Sequence, residues 1–395
     1  MKLALVIPGF QSSGSDWCIP AFTNLAQELS NRNELHVFAL RYPHRRGDYS
    51  IGAVRVHALG GGQLAGRRIR GVSLGKLWAD ALQGIAREHR SAPFDAVLGI
   101  WGTESGWLAT QSARTLGVPS LVHLAGGELV YLPSIRYGYL RRGIDGMLLN
   151  HTLALADRLT APSRQMLNLL AAEFPGVGQK AVRWPLGVDT ALFRAAKSGG
   201  IERPFTFVSV GSFIAVKNQA WLIRSFADLR HRRPDLDTRL VLVGEGPLEP
   251  YMKRLVRQLQ LAGYVTFRGS VPHHELAEVY ASSSAFLVGS WHEAQCMAVL
   301  EAMSCGLPWI GPPVGALFDI GADQERRGAL SGLLVRERSI YAMARAMERV
   351  ADLSVSEYQA WSAKAAALVR RDYDLTTQTA RLERLLARLT QLYQG

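Results

Sequence analysis

Short apolar runs rich in β-branched residues alternate with longer segments of helical spacing along the whole chain. In the first half, residues 3–7, 35–39, 54–57, 96–100 and 120–124 read as strands, with helices over 21–29, 74–87 and 107–116 between them. Short, mostly apolar strands alternating with helical segments form the pattern of parallel sheets covered by helices. Such sheets are wound by right-handed crossovers and bind ligands at the carboxyl edge of their strands.

The pattern then starts again. Strands are predicted over 205–210, 240–243, 265–268 and 286–288, a helix over 219–231, and three terminal helices over 340–353, 355–369 and 375–393. Between Trp184 and Arg203, the residues Pro185, Gly187, Gly199 and Gly200, with Pro204 just beyond, interrupt regular structure. The expected class is therefore α/β, with two Rossmann-like doubly wound domains at 1–185 and 186–374 and a last helix at 375–395. A length of 395 residues agrees with two domains.

Composition removes several alternatives. With 48% hydrophobic and 20% charged residues, neither a disordered chain nor a coiled coil fits. The three cysteines, Cys18, Cys296 and Cys305, are too few for a disulfide framework and make no CxxC pair of the kind that holds structural zinc. Only five apolar residues separate Met1-Lys2 from Pro8-Gly9, too few for a signal-peptide core, and no apolar run approaches the roughly 18 residues of a spanning helix. A cytoplasmic protein is expected, with any membrane contact peripheral.

The densest chemistry lies in Gly289-Ser-Trp-His-Glu293-Ala-Gln-Cys-Met-Ala-Val-Leu-Glu301, where a strand leads into a helix starting near Cys296 or Met297. A helix start presents free N–H groups and a positive dipole end, which suits a phosphate or a sugar hydroxyl. Glu293 in the loop and Glu301 in the helix can face one ligand from two sides, and carboxylates accept hydrogen bonds from vicinal diols. Glu301 sits among small apolar residues, where a carboxylate needs a partner. Lys217 lies in a loop between a strand and a helix. Near the start, Pro8-Gly9-Phe10-Gln11-Ser12-Ser13-Gly14-Ser15 permits close backbone approach but is not GxGxxG. Trp291, Trp309 and Met303 read as core, and no Ser-His-Asp or metal cluster competes.

These residues resemble the GT4 family of retaining glycosyltransferases, which have the GT-B fold. Glu293-x7-Glu301 is similar to the family's EX7E signature. Val210-Gly211-Ser212 through Lys217-Asn218 is similar to its donor-phosphate loop, and Leu242-Val243-Gly244-Glu245-Gly246-Pro247 to its VGxGP turn. Pro185-Leu-Gly-Val-Asp189 with Phe193 is similar to its domain junction, and Phe267-Arg-Gly-Ser-Val271-Pro272 to the loop beside the nucleotide base. The likeness is strong over roughly 158–320.

The resemblance implies a nucleotide diphosphate sugar held by the second domain, an acceptor entering from the first across a cleft, and a last helix crossing back to the first domain. It implies Glu301 on the ribose diol, Glu293 on the transferred sugar and Lys217 on the diphosphate, with Gly211, Ser212, Gly244, Val271, Gln295, Cys296 and Met297 around the donor. Gly9, Gly14, Gly126, Gly127 and Glu128 would serve the acceptor side, and His123 would stand in for a family histidine where this chain has Ala125. No metal or other cofactor is expected, since a lysine and a helix N-terminus supply the positive charge that a departing diphosphate needs. The family's arginine after the loop glycine is Ser212 here, and two of its EX7E-loop glycines are Ala294 and Cys296. A sugar-nucleotide epimerase or hydrolase of the same fold is an alternative, and Ala125, Ser212 and Cys296 keep open a non-catalytic sugar-nucleotide-binding protein.

Charge adds a last expectation. The chain carries +12, with 20 basic and 12 acidic residues in 1–185. Arg41, Arg45, Arg46, Arg55, Arg67, Arg68, Arg70, Arg141 and Arg142, with Tyr42, Tyr49, Tyr131, Tyr137 and Tyr139, form a basic aromatic set. It fits an anionic inner membrane surface carrying a lipid-linked or glycan acceptor as well as it fits a solvated face. No nucleic-acid reading motif accompanies the charge, so no specific nucleic acid is expected.

Overall fold

The computed structural model describes residues 1–13, 19–61, 74–140, 143–195 and 204–394. The chain divides into two compact units, Met1–Gly187 with Leu375–Gly395, and Val188–Asp374.

The first unit contains β1 (Lys2–Gly9), α1 (Pro20–Ser30), β2 (Glu34–Tyr42), β3 (Arg46–Ile51), β4 (Val54–Leu59), α2 (Leu74–Ser91) and β5 (Ala96–Ile100). It continues with α3 (Glu104–Leu116), β6 (Ser120–His123), α4 (Gly143–Leu155), β7 (Arg158–Ala161), α5 (Arg164–Glu173) and β8 (Ala181–Arg183). Among the described residues its sheet runs β3-β4-β2-β1-β5-β6-β7-β8, parallel except for the antiparallel β3–β4 pair. Leu3, Ala4, Leu5 and Val6 of β1 are fully enclosed, which is why that strand shows no polar alternation. Three strands escape the apolar pattern. β3 is a mostly exposed edge strand, Arg46-Gly-Asp-Tyr-Ser-Ile, while β7 and β8 are too short to form a run.

The second unit contains β9 (Phe205–Val210), α6 (Gln219–Arg232), β10 (Thr238–Val243), α7 (Glu249–Gln258), β11 (Val265–Phe267), α8 (Leu276–Ala281) and β12 (Ala285–Leu287). It continues with α9 (Met297–Ser304), β13 (Trp309–Gly311), α10 (Ala316–Arg327), β14 (Gly332–Leu334), α11 (Ile340–Ala351) and α12 (Val355–Asp372). Among the described residues its strands are all parallel, in the order β11-β10-β9-β12-β13-β14. Counted within the unit this is 3-2-1-4-5-6, so the winding direction reverses between β9 and β12, and the loops leaving those two strands diverge to open a crevice. Phe207, Phe226, Leu240 and Met347 fill one side of the sheet, and Val208, Phe286, Leu300 and Trp309 the other.

The last helix, α13 (Leu375–Gln394), packs on α1 in the first unit. Trp184 Nε1 donates to the Gln378 carbonyl at 2.9 Å, and Arg32 pairs with Glu383 at 3.0 Å.

Candidate functional site

The crevice between β9 and β12 gathers the residues singled out in the second half. After β9 the backbone turns at Gly211 and enters a 3₁₀ turn, Ala215–Lys217, that ends in left-handed Asn218 and starts α6. The Gln219 side chain donates to the Ser212 carbonyl at 3.1 Å and fixes the loop from behind. The next loop closes on it without side chains between: Gly244 has φ +128°, and a Cβ there would lie 2.3 Å from the Gly211 carbonyl oxygen. Ser212 itself is exposed, and Val271 and Met297 are half-buried.

Lys217 Nζ reaches across the crevice and donates to Glu293 Oε1 at 2.6 Å, and Ser290 Oγ donates to the same oxygen at 2.6 Å. Burial pulls the Lys217 ammonium down, but the Glu293 charge and hydrogen bond outweigh it and hold the group above its ordinary value. The pair leaves a cavity of only about 40 Å³ beside Ser209, Gln219 and Cys296, enough for about one water.

Glu301 lies one turn into α9 and is buried. Its Oε1 accepts from His273 Nε2 at 2.9 Å and its Oε2 from the Tyr280 hydroxyl at 3.2 Å. Both oxygens are thereby held in a fixed plane. The helix is preceded by Cys296 in a left-handed conformation, φ +72°, with no side-chain cap. Burial and then the Glu293 charge push the Cys296 thiol far up, which removes it as a nucleophile and agrees with a packing role. Gln295 is buried, and its carbonyl accepts from the Ala316 amide at 2.8 Å.

Sequence reasoning missed the partners. His273, Tyr280, Ser290 and Gln219 carry no motif of their own, and their proximity to the acids follows only from folding. Trp291 is a correction: it is 44% exposed, not core, and Arg338 crosses its ring at 4.7 Å while donating to the Ser290 carbonyl at 2.9 Å, supporting the Glu293 loop from outside.

The first-unit candidates behave differently. His123 is fully buried, with Nδ1 sharing a hydrogen bond with Thr160 Oγ1 at 3.0 Å and its ring edge-on to Trp184. Burial holds its pKa down to about 3, so the expected catalytic role gives way to that of a neutral core residue. Glu128 is also fully buried and accepts from the backbone N–H groups of Gly102, Ala125 and Gly126 at 3.2, 3.1 and 2.6 Å. It ties the loop together instead of facing a ligand. Gly126 and Gly127 are the places where Trp101 and Tyr137 lie against the backbone; a Cβ at either would come within 3 Å of those rings. Gly9 ends β1, and Gly14 lies outside the described residues. Arg41 leaves the basic set, because it is buried and bidentate to Glu104 at 2.6 and 2.5 Å. Arg67, Arg68, Arg70, Arg141 and Arg142 lie outside the described residues.

Two doubly wound parallel-sheet units, one with lysine and paired acids at its switch point, define the GT-B class of fold. The comparisons agree. The model of "Glycosyl transferases group 1" matches residues 204–352 and that of "Glycosyltransferase Family 4" residues 21–192. A D-inositol 3-phosphate glycosyltransferase from Actinosynnema mirum is 30% identical over 293 residues, 69% of this chain and 67% of that protein. The chain therefore belongs to the GT4 glycosyltransferase family. It spans about half or less of several other curated relatives that it matches. Sucrose-phosphate synthase from Thermosynechococcus elongatus has the same fold, with TM-score 0.77 and 18% identity over 98% of both chains. Anabaena HepE in complex with UDP and glucose follows at 0.71 and 16%, covering 98% of this chain and 99% of that one. Among the described residues no helix is long and apolar enough to cross a membrane.

Proposed function

We propose that the protein transfers a hexose from a nucleoside diphosphate sugar to a polyol, glycan or lipid-linked acceptor, with retention of anomeric configuration and without a metal ion. The observation that carries this reading is the meeting of Lys217 and Glu293 at the switch point, with Glu301 held behind them in α9. A diphosphate entering the crevice competes with Glu293 for the Lys217 ammonium. The exchange places positive charge on the leaving group, where charge develops as the glycosidic bond breaks, and frees the Glu293 carboxylate for hydroxyls of the transferred sugar. The α9 N-terminus adds partial positive charge from the backbone. Glu301, oriented by His273 and Tyr280, accepts from the ribose diol with its remaining lone pairs.

The acceptor is assigned to the first unit, and the inositol phosphate acceptor in the name of the Actinosynnema relative makes a polar polyol the first to try. Tyr131, Tyr139, Ile144 and Met147 are exposed there, a set that suits peripheral contact with an anionic inner membrane surface. Calorimetry with UDP, GDP and ADP tests donor binding, and UDP comes first because HepE holds it. No binding by any of the three sinks the proposal. Free sugar as the sole product, with donor alone and across an acceptor panel, makes the protein a hydrolase instead. Cosedimentation with anionic and neutral liposomes at low and high salt tests the membrane contact.

A further inference from the structure

The first unit carries a cluster of histidines and acids that the transfer reaction does not use. His36 lies on β2 and His57 on β4. Register places His57 beside Phe38 on β2 and beside Asp48 on β3, so His36, Phe38, Asp48 and His57 project to the same side of the sheet. Helix α2 brings Glu88 to them.

His36 Nδ1 and His57 Nε2 face each other at 3.0 Å, and Glu88 Oε2 is 3.9 Å from His36 Nδ1. These three atoms all lie within 4.8 Å of one another. The far nitrogen of each ring is held by a carboxylate: His36 Nε2 by Glu34 Oε1 at 3.1 Å, and His57 Nδ1 by Asp48 Oδ1 at 2.9 Å. A neutral imidazole has one N–H, and an ionised carboxylate only accepts. Each ring therefore spends its proton on its carboxylate, and two bare lone pairs are left pointing at each other. That arrangement repels unless a cation lies between them. Carboxylates behind the far nitrogens of two histidines are also the outer shell that orients imidazole ligands toward a metal.

We propose that His36 Nδ1, His57 Nε2 and Glu88 Oε2 bind a divalent transition metal, zinc by the character of the donors. Two imidazoles and a carboxylate suit Zn²⁺ and leave a fourth position for water. Tetrahedral zinc ligands about 2.0–2.2 Å from the ion lie roughly 3.3–3.6 Å apart, so the two ring nitrogens, now 3.0 Å apart, have to part by a few tenths of an ångström and Glu88 has to move inward by about 1 Å. Phe38 stacks on His57 at 4.7 Å and Phe94 meets His36 edge-on at 5.3 Å, an apolar shell that strengthens the bonds inside it. Access comes through a cavity of about 530 Å³, lined in part by Arg46, Asp48, His57, Asp80 and Arg87. The nearby cations Lys2, Arg55 and Arg87 are engaged with Glu34, Asp48 and Glu88. Bound metal would join β2, β4 and α2, stapling that side of the first unit.

The test uses the full chain, stripped with chelator and titrated with Zn²⁺ by calorimetry and with Co²⁺ by visible absorption. The expected result is one ion per chain, with Co²⁺ giving the ligand-field bands of a site containing nitrogen donors, and a Tm that rises with Zn²⁺ concentration by mass action. His57→Gln should abolish this binding. Asp48→Asn, at an exposed position, should weaken it by about 10- to 100-fold while the fold survives. Glu88→Gln should weaken it as well, so the proposal stays testable even if His57→Gln does not fold. UDP binding should be unchanged in all three variants. Absence of one-to-one binding in the parent protein overturns the proposal and leaves a proton shared between the rings. Binding unchanged by Asp48→Asn and Glu88→Gln overturns it too, because the metal then sits elsewhere.

Discussion

Both units carry acids at the carboxyl edge of a parallel sheet, yet the acids do different work. In the first unit Glu128 is bound by three backbone amides, those of Gly102, Ala125 and Gly126. In the second unit Glu293 and Glu301 are held by side chains alone among their described bonds: Lys217, Ser290, His273 and Tyr280. A carboxylate bound to backbone amides cannot exchange partners without opening the loop that supplies them. One bound to a lysine can give up that partner to a phosphate while the chain stays put. Readiness for a ligand is thus a matter of which groups already hold the acid, and burial alone does not separate the two cases, since Glu128 and Glu301 are both buried.

The sharpest way to break this comparison is to remove one partner from each side. Lys217→Ala should lower turnover by about 100- to 1,000-fold, the range found when one preorganised charge donor is lost, with a much smaller effect on Tm. Steady-state kinetics and thermal unfolding on the same preparation check both halves. If turnover survives and stability collapses, Lys217 belongs with the structural groups. Glu128→Ala is the mirror experiment. It orphans three amides and should cost on the order of 3 kcal/mol in urea unfolding while UDP affinity stays unchanged. A selective loss of UDP binding with normal stability would place Glu128 in a site instead.

His123 sharpens the contrast through pH. Its folded pKa of about 3 lies below the ordinary 6.5, so the unfolded chain takes up a proton that the native state refuses. The sign is fixed: the stability contributed by neutral His123 is complete above pH 6.5 and is lost as pH falls toward 3. Urea midpoints across that range should drop in the parent protein and drop less in His123→Asn. The ionisation of a catalytic histidine would instead appear in the pH profile of kcat, which His123→Asn should leave in place.

Much of this was legible from residue order, and the gaps have physical reasons. Runs such as Leu3–Val6, and Phe205–Val210 with only Thr206 and Ser209 polar, announce buried parallel strands because apolar residues fill most positions. The strand Arg46–Ile51 stays hidden, because an edge strand exposed to water has no apolar pattern to show. Glu293, Glu301 and Lys217 are legible because loops at a switch point carry their chemistry at short range along the chain. His273 and Tyr280 are not, since they reach Glu301 through the packing of α8 and the turn before it against α9. The histidine cluster is invisible for the same reason: 21 residues separate His36 from His57, and only strand register brings them together. Cysteine spacing, the usual sequence sign of structural zinc, does not bear on a site built from imidazole and carboxylate.

Cys296 gives the smallest and most local test. It occupies a left-handed backbone conformation at the mouth of α9, where a Cβ costs roughly 1–2 kcal/mol, and it lines the cavity beside Lys217 and Glu293. Cys296→Gly removes that strain but also the burial of a small apolar group, worth a similar amount, so stability should stay within about 1 kcal/mol of the parent. The space vacated by the thiol adjoins the pocket where the transferred sugar is assigned. Affinity for a nucleoside diphosphate sugar should therefore rise a few-fold, while affinity for the nucleoside diphosphate alone should hardly change. Calorimetry with both ligands separates these effects. Equal gains for both would mean that the glycine reshapes the α9 N-terminus around the phosphates, and a loss for the sugar nucleotide alone would mean that the thiol is itself a donor contact.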